Sequence, residues 1–242
     1  KAAIIRPGVI AIVAPQEIEA LEVIKRQSRS VGVTPRMVEG DPIATAGGSI
    51  AMLGLRGRHQ TTNAATAVEI AEALRTKGFQ ISRDAILTGL KSAKHPGRLE
   101  LWAGAPQMLF DGAHNPAAAR ALRDYLDESV AAPITMIFGA MRDKALREMA
   151  AILFPAAREL ILTQVENPRG ASSELLQSVV PKNLDSRIHP AGSVAEALRI
   201  AKEVTPPEGL VCVTGSLYLI GEVQQSVRES LKAHESHKLG SL

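Results

Sequence analysis

The sequence predicts an α/β protein whose C-terminal part is a Rossmann-like, mostly parallel and doubly wound sheet, and three observations carry that prediction. Apolar runs at residues 135–138, 159–163, 187–188 and 210–214 read as strands, and they alternate with helical patterns at 145–153, 173–180, 194–204 and 217–231. Such alternation favours parallel strands joined by right-handed crossovers, with helices covering both faces. Hydrophobic residues make up 45% of the chain and aromatic residues only 3%, so the core is aliphatic. The 242 residues suffice for two domains of ordinary size, and the pattern changes character between His95 and Pro116.

Taken in order, residues 9–14 read as a buried strand and Pro15 as a turn. Residues 17–30 form a helix with Ile18, Leu21, Val23 and Ile24 suited to one face. Met37 and Val38 make a second short strand. Residues 49–56, bounded by Gly47, Gly48 and Gly57, read as a third, and His59 then leads into an alanine-rich helix ending near Gly78. Ser82 caps a helix over 84–92. This opening region holds strands and helices but no self-contained sheet. Pro96-Gly97 ends the helical pattern, and two extended runs, 99–102 and 108–110, flank a Gly104-Ala-Pro106 turn. Asn115 is a good N-cap and Pro116 fits the first turn of a helix over 117–126, whose positive end faces Asp111 and His114. The tail, 234–242, is polar and expected to fray.

A net charge of +3, with no long basic run and few aromatics, argues against nucleic acid as a partner and favours anionic small molecules. The single Cys212 lies in an apolar run and reads as a buried strand residue. No disulfide can form within the chain, as expected in the cytoplasm. The run 9–14 is far shorter than the roughly twenty residues a membrane helix needs, and Pro7-Gly8 interrupts any leader pattern. A chain opening on Lys1 without methionine reads as a processed or truncated piece.

In a doubly wound sheet, ligands bind outside the carboxyl ends of the strands. The loops 111–116, 139–144, 166–170 and 214–216 fall there and supply Asp111, Arg142, Asp143, Lys144 and Arg169, a set suited to a polyanion or an amino-acid carboxylate. Singly, Arg142, Asp143, Lys144 and Arg169 also read as solvated loop residues, Arg98 as a surface arginine, and Ser216 as a helix cap. No Gly-x-x-x-x-Gly-Lys-Ser/Thr loop, Gly-x-Gly-x-x-Gly, nucleophile elbow or metal-ligand cluster is present in the sequence.

Several motifs then stand in one order: His59-Gln-Thr-Thr-Asn-Ala64, His95-Pro-Gly-Arg-Leu-Glu100, Phe110-Asp-Gly-Ala-His-Asn-Pro116, the 139–144 loop, Asn167-Pro-Arg169 and Gly215-Ser-Leu-Tyr-Leu-Ile-Gly-Glu-Val223. Together they resemble the bacterial folylpolyglutamate synthase/dihydrofolate synthase family of the Mur ligase superfamily, over nearly the whole chain. The resemblance implies an ATP- and Mg2+-dependent, cytoplasmic ligase, monomeric when complete. It joins L-glutamate to a folate or dihydropteroate carboxylate through an acyl phosphate and takes neither nucleic acid nor membrane as a partner. It implies that residues 1–94 are the C-terminal part of a central ATPase domain and 95–242 the C-terminal ligase domain on the glutamate side. The phosphate loop would then precede Lys1, and the chain by itself would be inactive.

Residue by residue, Asn63 resembles the asparagine that reads the adenine edge, where an amide offers donor and acceptor together. Arg98 resembles the arginine that reaches the ATP phosphates. Asp111 resembles the ribose-binding aspartate, with His114 beside the nucleotide. Lys1 resembles the lysine that, when carbamylated, helps hold magnesium, although Ala3 stands where that family's segment has glycine. Lys144 is a candidate catalytic support, and Arg169 and Ser216 are candidates on the glutamate side. Two other readings are another Mur-type amino-acid ligase and a non-catalytic nucleotide-binding remnant.

Overall fold

The structure, a computed structural model, describes residues 1–39, 53–182, 184 and 187–239. The chain divides into two compact units, Lys1–Lys94 and His95–Leu242.

In the first unit, β1 (Ile12–Val13) pairs in parallel with β2 (Arg36–Met37), and α1 (Ile18–Ser30) connects them. The strand expected over 9–14 therefore shrinks to the two residues that find a partner. Helix α2 (His59–Thr76) buries Ala64, Ala65, Val68 and Ala73, and Val68 packs with Ile86 of α3 (Arg83–Ser92). Ser82 caps α3 as its sequence position implies, its Oγ accepting the Ala85 N–H at 3.1 Å. The strand expected over 49–56 falls partly outside the described residues, at 49–52, as do Gly47 and Gly48. Residues 53–56 form no strand. There the Gly54 N–H donates to the Leu90 carbonyl at 2.9 Å. A Cβ on Gly54 would stand 2.4 Å from the Lys91 carbonyl oxygen, so this segment lies against the end of α3 instead of in a sheet.

The second unit is the doubly wound sheet that the alternation predicts. Its strands are β3 (Glu100–Trp102), β4 (Gln107–Asp111), β5 (Ile134–Phe138), β6 (Glu159–Thr163), β7 (Arg187–Ala191) and β8 (Leu210–Thr214), in the order β3-β4-β8-β5-β6-β7. Only β3 is antiparallel, closing the hairpin that the Gly104-Ala-Pro106 turn makes. Helices α4 (Pro116–Ser129), α5 (Leu146–Leu153) and α6 (Ser173–Ser178) share a core with Leu109, Met136, Phe138, Leu160, Leu162 and Cys212. Helices α7 (Val194–Val204) and α8 (Leu217–Leu239) share the other core with Phe110, Ile137, Ile161, Val211 and Val213. Neighbouring residues on one strand thus feed opposite cores, as a period of two dictates. Each fully buried large apolar side chain contributes roughly 1.5–3 kcal/mol.

Strand β8 fills the place between β4 and β5, and the helices that follow β4 and β8 lie on opposite faces. That makes this edge a topological switch point. The register brings Asp111, Thr214 and Phe138 into one row at the carboxyl end. Helix α8 runs on to Leu239, past the end expected at Leu231 and through much of the tail expected to fray, while 240–242 lie outside the described residues. Among the described residues, no helix is long and apolar enough to cross a membrane.

Candidate functional site

Strand β4 delivers Asp111 to the switch point and buries it to 5% exposure. Its Oδ2 accepts the Leu99 N–H and its Oδ1 the Ala113 N–H, each at 3.0 Å. Burial pushes this carboxyl above the usual aspartate range, against the two N–H bonds and the nearby charges of Arg98 and His114. The next residue is the hub of the turn. The Gly112 N–H donates to the Gly97 carbonyl at 2.8 Å, and its own carbonyl accepts from Arg98 Nη1 at 3.4 Å and His114 Nδ1 at 2.8 Å. A carbonyl only accepts, so His114 carries a proton on Nδ1, and in the neutral ring Nε2 remains an acceptor. A Cβ on Gly112 would meet the Leu217 side chain at 2.4 Å, so a larger residue here would require that side chain, at the start of α8, to move. Asn115 then caps α4, its Oδ1 accepting the Ala118 N–H at 2.9 Å, with Pro116 in the first turn.

Arg98 lies between two residues with left-handed backbone, Gly97 at φ +69° and Leu99 at φ +44°. Glu100 borders the same turn. Its Oε2 accepts from the Gly97 N–H at 2.8 Å and from Gln224 Nε2 of α8 at 2.9 Å, and its Oε1 accepts from Trp102 Nε1 at 2.8 Å. The Arg228 guanidinium stacks over the Trp102 ring at 5.1 Å. Burial pushes the Glu100 carboxyl up, but the bonds from Trp102, Gly97 and Gln224 and the Arg228 charge outweigh it, so the net shift is downward.

The loops after β5 and β6 pair with each other. Met141 bridges Gly170, the Arg142 N–H donates to the Arg169 carbonyl at 2.9 Å, and Arg142 Nη2 donates to the Pro168 carbonyl at 2.8 Å. Asn167 Oδ1 accepts the Arg169 N–H at 2.9 Å, shaping the turn that leaves the Arg169 side chain exposed. Lys144 stands 3.6 Å from Asp143. Ser216 is buried, and its Oγ accepts the Tyr218 N–H at 3.1 Å at the start of α8, the capping role its position implies. Gly215, at φ +103°, has no room for a Cβ beside the Gly139 carbonyl, 2.7 Å away.

The structure thus gathers Arg98, Asp111 and His114 around Gly112 and sets Lys144 and Arg169 on two joined loops. Lys1 and Asn63 belong to the first unit. Lys1 is exposed ahead of a 3-10 turn, and Asn63 is exposed on α2, its Nδ2 donating to Gln60 Oε1 at 3.0 Å. Sequence reading singled out Arg98 and passed over Glu100, although the spacing of Gly97 and Glu100 was visible in the motif. Thr163, outside the loops that the sequence marks, and Thr214, at the start of the marked 214–216 loop, have buried hydroxyls without a hydrogen-bond partner among the described residues.

The set fits a nucleotide or another phosphate ester: a planar guanidinium and a helix start suit phosphate oxygens, and an imidazole Nε2 can accept from a sugar hydroxyl at the same edge. Among the described residues no three His, Cys, Asp or Glu side chains converge, and a carbamylated Lys1 would supply oxygen ligands from one side chain only.

A doubly wound α/β domain with Arg98, Asp111 and His114 gathered at its switch point is the class these features define. The chain belongs to the Mur ligase superfamily: residues 97–217, half of its length, match the family described as Mur ligase, glutamate ligase domain. Most of the relatives it matches carry folylpolyglutamate synthase or dihydrofolate synthase names, in line with the motifs, while one, 24% identical over 208 residues, is a UDP-N-acetylmuramoyl-L-alanyl-D-glutamate–2,6-diaminopimelate ligase of Corynebacterium glutamicum. It is 35% identical over 170 residues to a probable bifunctional folylpolyglutamate synthase/dihydropteroate synthase of Haloferax volcanii, covering 70% of this chain and 20% of that protein. It is 26% identical over 247 residues to the dihydrofolate synthase/folylpolyglutamate synthase of Bacillus subtilis, covering 94% and 57%. Among solved structures it superposes on E. coli FolC in complex with DHPP and ADP with a TM-score of 0.78 at 27% identity, covering 95% of this chain and 55% of that one. The chain therefore spans a fifth of the archaeal relative and a little over half of these two bacterial proteins.

Proposed function

We propose that this chain is the C-terminal part of an ATP-dependent, ADP-forming carboxylate–amine ligase that adds L-glutamate to a folate or dihydropteroate carboxylate. The observation that carries the reading is the turn at the end of β4, where Arg98 and His114 converge on one carbonyl beside a buried Asp111. Membership of the Mur ligase superfamily and the folate-branch relatives support the substrate class. In this reading residues 1–94 are the end of the ATPase domain and 95–242 the ligase domain. The enzyme works as a cytoplasmic monomer, where ATP is available.

The chemistry runs in two steps. A carboxylate oxygen of the pterin substrate attacks the γ-phosphorus of ATP in line and ADP leaves, giving an acyl phosphate. The glutamate amine then attacks the acyl carbon, and the tetrahedral intermediate expels inorganic phosphate as the amine gives up its proton. Arg98 stabilises the charge that gathers on the transferring phosphoryl group. Asn63 reads adenine, and Asp111 and His114 lie along the sugar. Lys144 supports the acyl transfer, while Arg169 and Ser216 face the incoming glutamate, whose carboxylates suit an arginine. ATP acts as its magnesium complex, and a carbamylated Lys1 would supply oxygen ligands to the metal.

Phosphate release from ATP by the full-length protein that contains this chain tests the reading, with glutamate present and dihydropteroate or tetrahydrofolate offered in turn. Release that requires both glutamate and a pterin carboxylate is the expected result, and it shows which pterin is used. Release driven by another acceptor points to a different Mur-type ligase, and nucleotide binding without turnover points to a remnant. Replacing Arg98→Ala is expected to lower kcat about 100-fold, the usual cost of one preorganised charge on a transition state.

A further inference from the structure

We infer that Glu100 is a positioning residue for Arg98: it fixes the backbone from which the guanidinium reaches the anionic substrate. The inference rests on the ligase reading above and adds to it a residue that touches neither substrate nor nucleotide.

Arg98 stands between Gly97 at φ +69° and Leu99 at φ +44°. A non-glycine residue rarely adopts that region, because its Cβ crowds the backbone, so the turn needs outside support. Two carboxylates give it. Asp111 takes the N–H after Arg98, that of Leu99, and Glu100 takes the N–H before it, that of Gly97. Asp111 is anchored because β4 buries it. Glu100 is anchored differently, by Trp102 on its own strand and by Gln224 on α8, and Gln224 is itself only 7% exposed. Both N–H bonds are charge-assisted and so stronger than neutral ones. The Gly97 carbonyl takes the Gly112 N–H, and Gly112 is also the residue whose carbonyl receives Arg98. Glu100, Gly97, Gly112 and Arg98 therefore form one connected path. Removing the Glu100 charge weakens its hold on the Gly97 N–H, since an amide offers one acceptor oxygen without a charge where the carboxylate offered two, and lets the guanidinium drift; a displacement of about 1 Å in a positioning group costs up to 100-fold in rate.

A double-mutant cycle separates positioning from simple support of the fold. In the full-length protein, Glu100→Gln is expected to lower kcat roughly 10- to 100-fold. In an Arg98→Ala background the same change is expected to do almost nothing, because groups that act through one another are non-additive. Equal losses in both backgrounds overturn the inference. Gln224→Leu, which leaves the charge but cuts its tether to α8, gives a smaller loss with the same non-additivity and serves if Glu100→Gln does not fold.

A second readout does not depend on turnover. In 15N-labelled protein, Glu100→Gln is expected to shift the Arg98 Nε–H resonance and speed exchange of the Gly97 amide. An unmoved Arg98 resonance overturns the inference whether or not the enzyme turns over, whereas a wild-type protein with no pterin-dependent release overturns only the ligase reading.

Discussion

The two units of this chain treat their apolar residues in opposite ways. In the second, every residue of β5, β6 and β8 is buried, and helices close both faces of the sheet. In the first, the paired strands are two residues long, and Ile4 and Ile18 are 81% and 79% exposed. Parallel strands are stable when both faces are covered. The second unit meets that condition from its own sequence, and the described residues of the first do not. The difference reaches the candidate site. Arg98, Asp111 and His114 sit on a turn cross-linked to β3, β4 and α8, whereas Asn63 is placed by the geometry of one helix and a bond to Gln60.

The comparison breaks most visibly at Phe138. It is fully buried and meets Phe154 edge-on at 5.1 Å, so Phe138→Ala is expected to cost about 3–5 kcal/mol. Trp102 is the only tryptophan and lies in the second unit, so its fluorescence during urea unfolding reports that unit. A cost under about 1 kcal/mol would mean that this core is not closed. Asn115→Ala removes the cap of α4 and is expected to cost about 1 kcal/mol by the same measurement. At the small end, Ile18→Ser is expected to stay within about 0.5 kcal/mol when unfolding is followed by circular dichroism. A large loss there would show that Ile18 is covered in the protein, and would erase the contrast between the units.

Much of the second unit was legible because its signals are local. Asn115 followed by Pro116 is a helix start whatever surrounds it, the Gly104-Ala-Pro106 turn closes its hairpin over a few residues, and helix 194–204 follows from its own periodicity. The insertion of β8 between β4 and β5 was not legible, since it depends on a crossover from β7 that returns past two strands. The tail differs for another reason: its polarity predicts fraying, but Glu, Lys and Ala are good helix formers and α8 continues through them. In the site, the motif gave residue types without their partners. Asp111 reads as a ligand-facing carboxylate, yet both of its oxygens already hold backbone N–H groups, one of them twelve residues away. The anchoring of Glu100 to Gln224 spans 124 residues and left no trace in the local pattern.

Cys212 sits in the middle of β8 with no exposure, and burial pushes its thiol far above the usual cysteine range. Thiol reagents attack the thiolate, so the chain's only native sulfhydryl is silent toward maleimides and iodoacetamides while the sheet is folded. A cysteine introduced on an exposed loop is then the sole labelling position in an otherwise native background. A spin label or dye attached there reports on one chosen place, and slow labelling of Cys212 itself becomes a clock for the opening of the sheet.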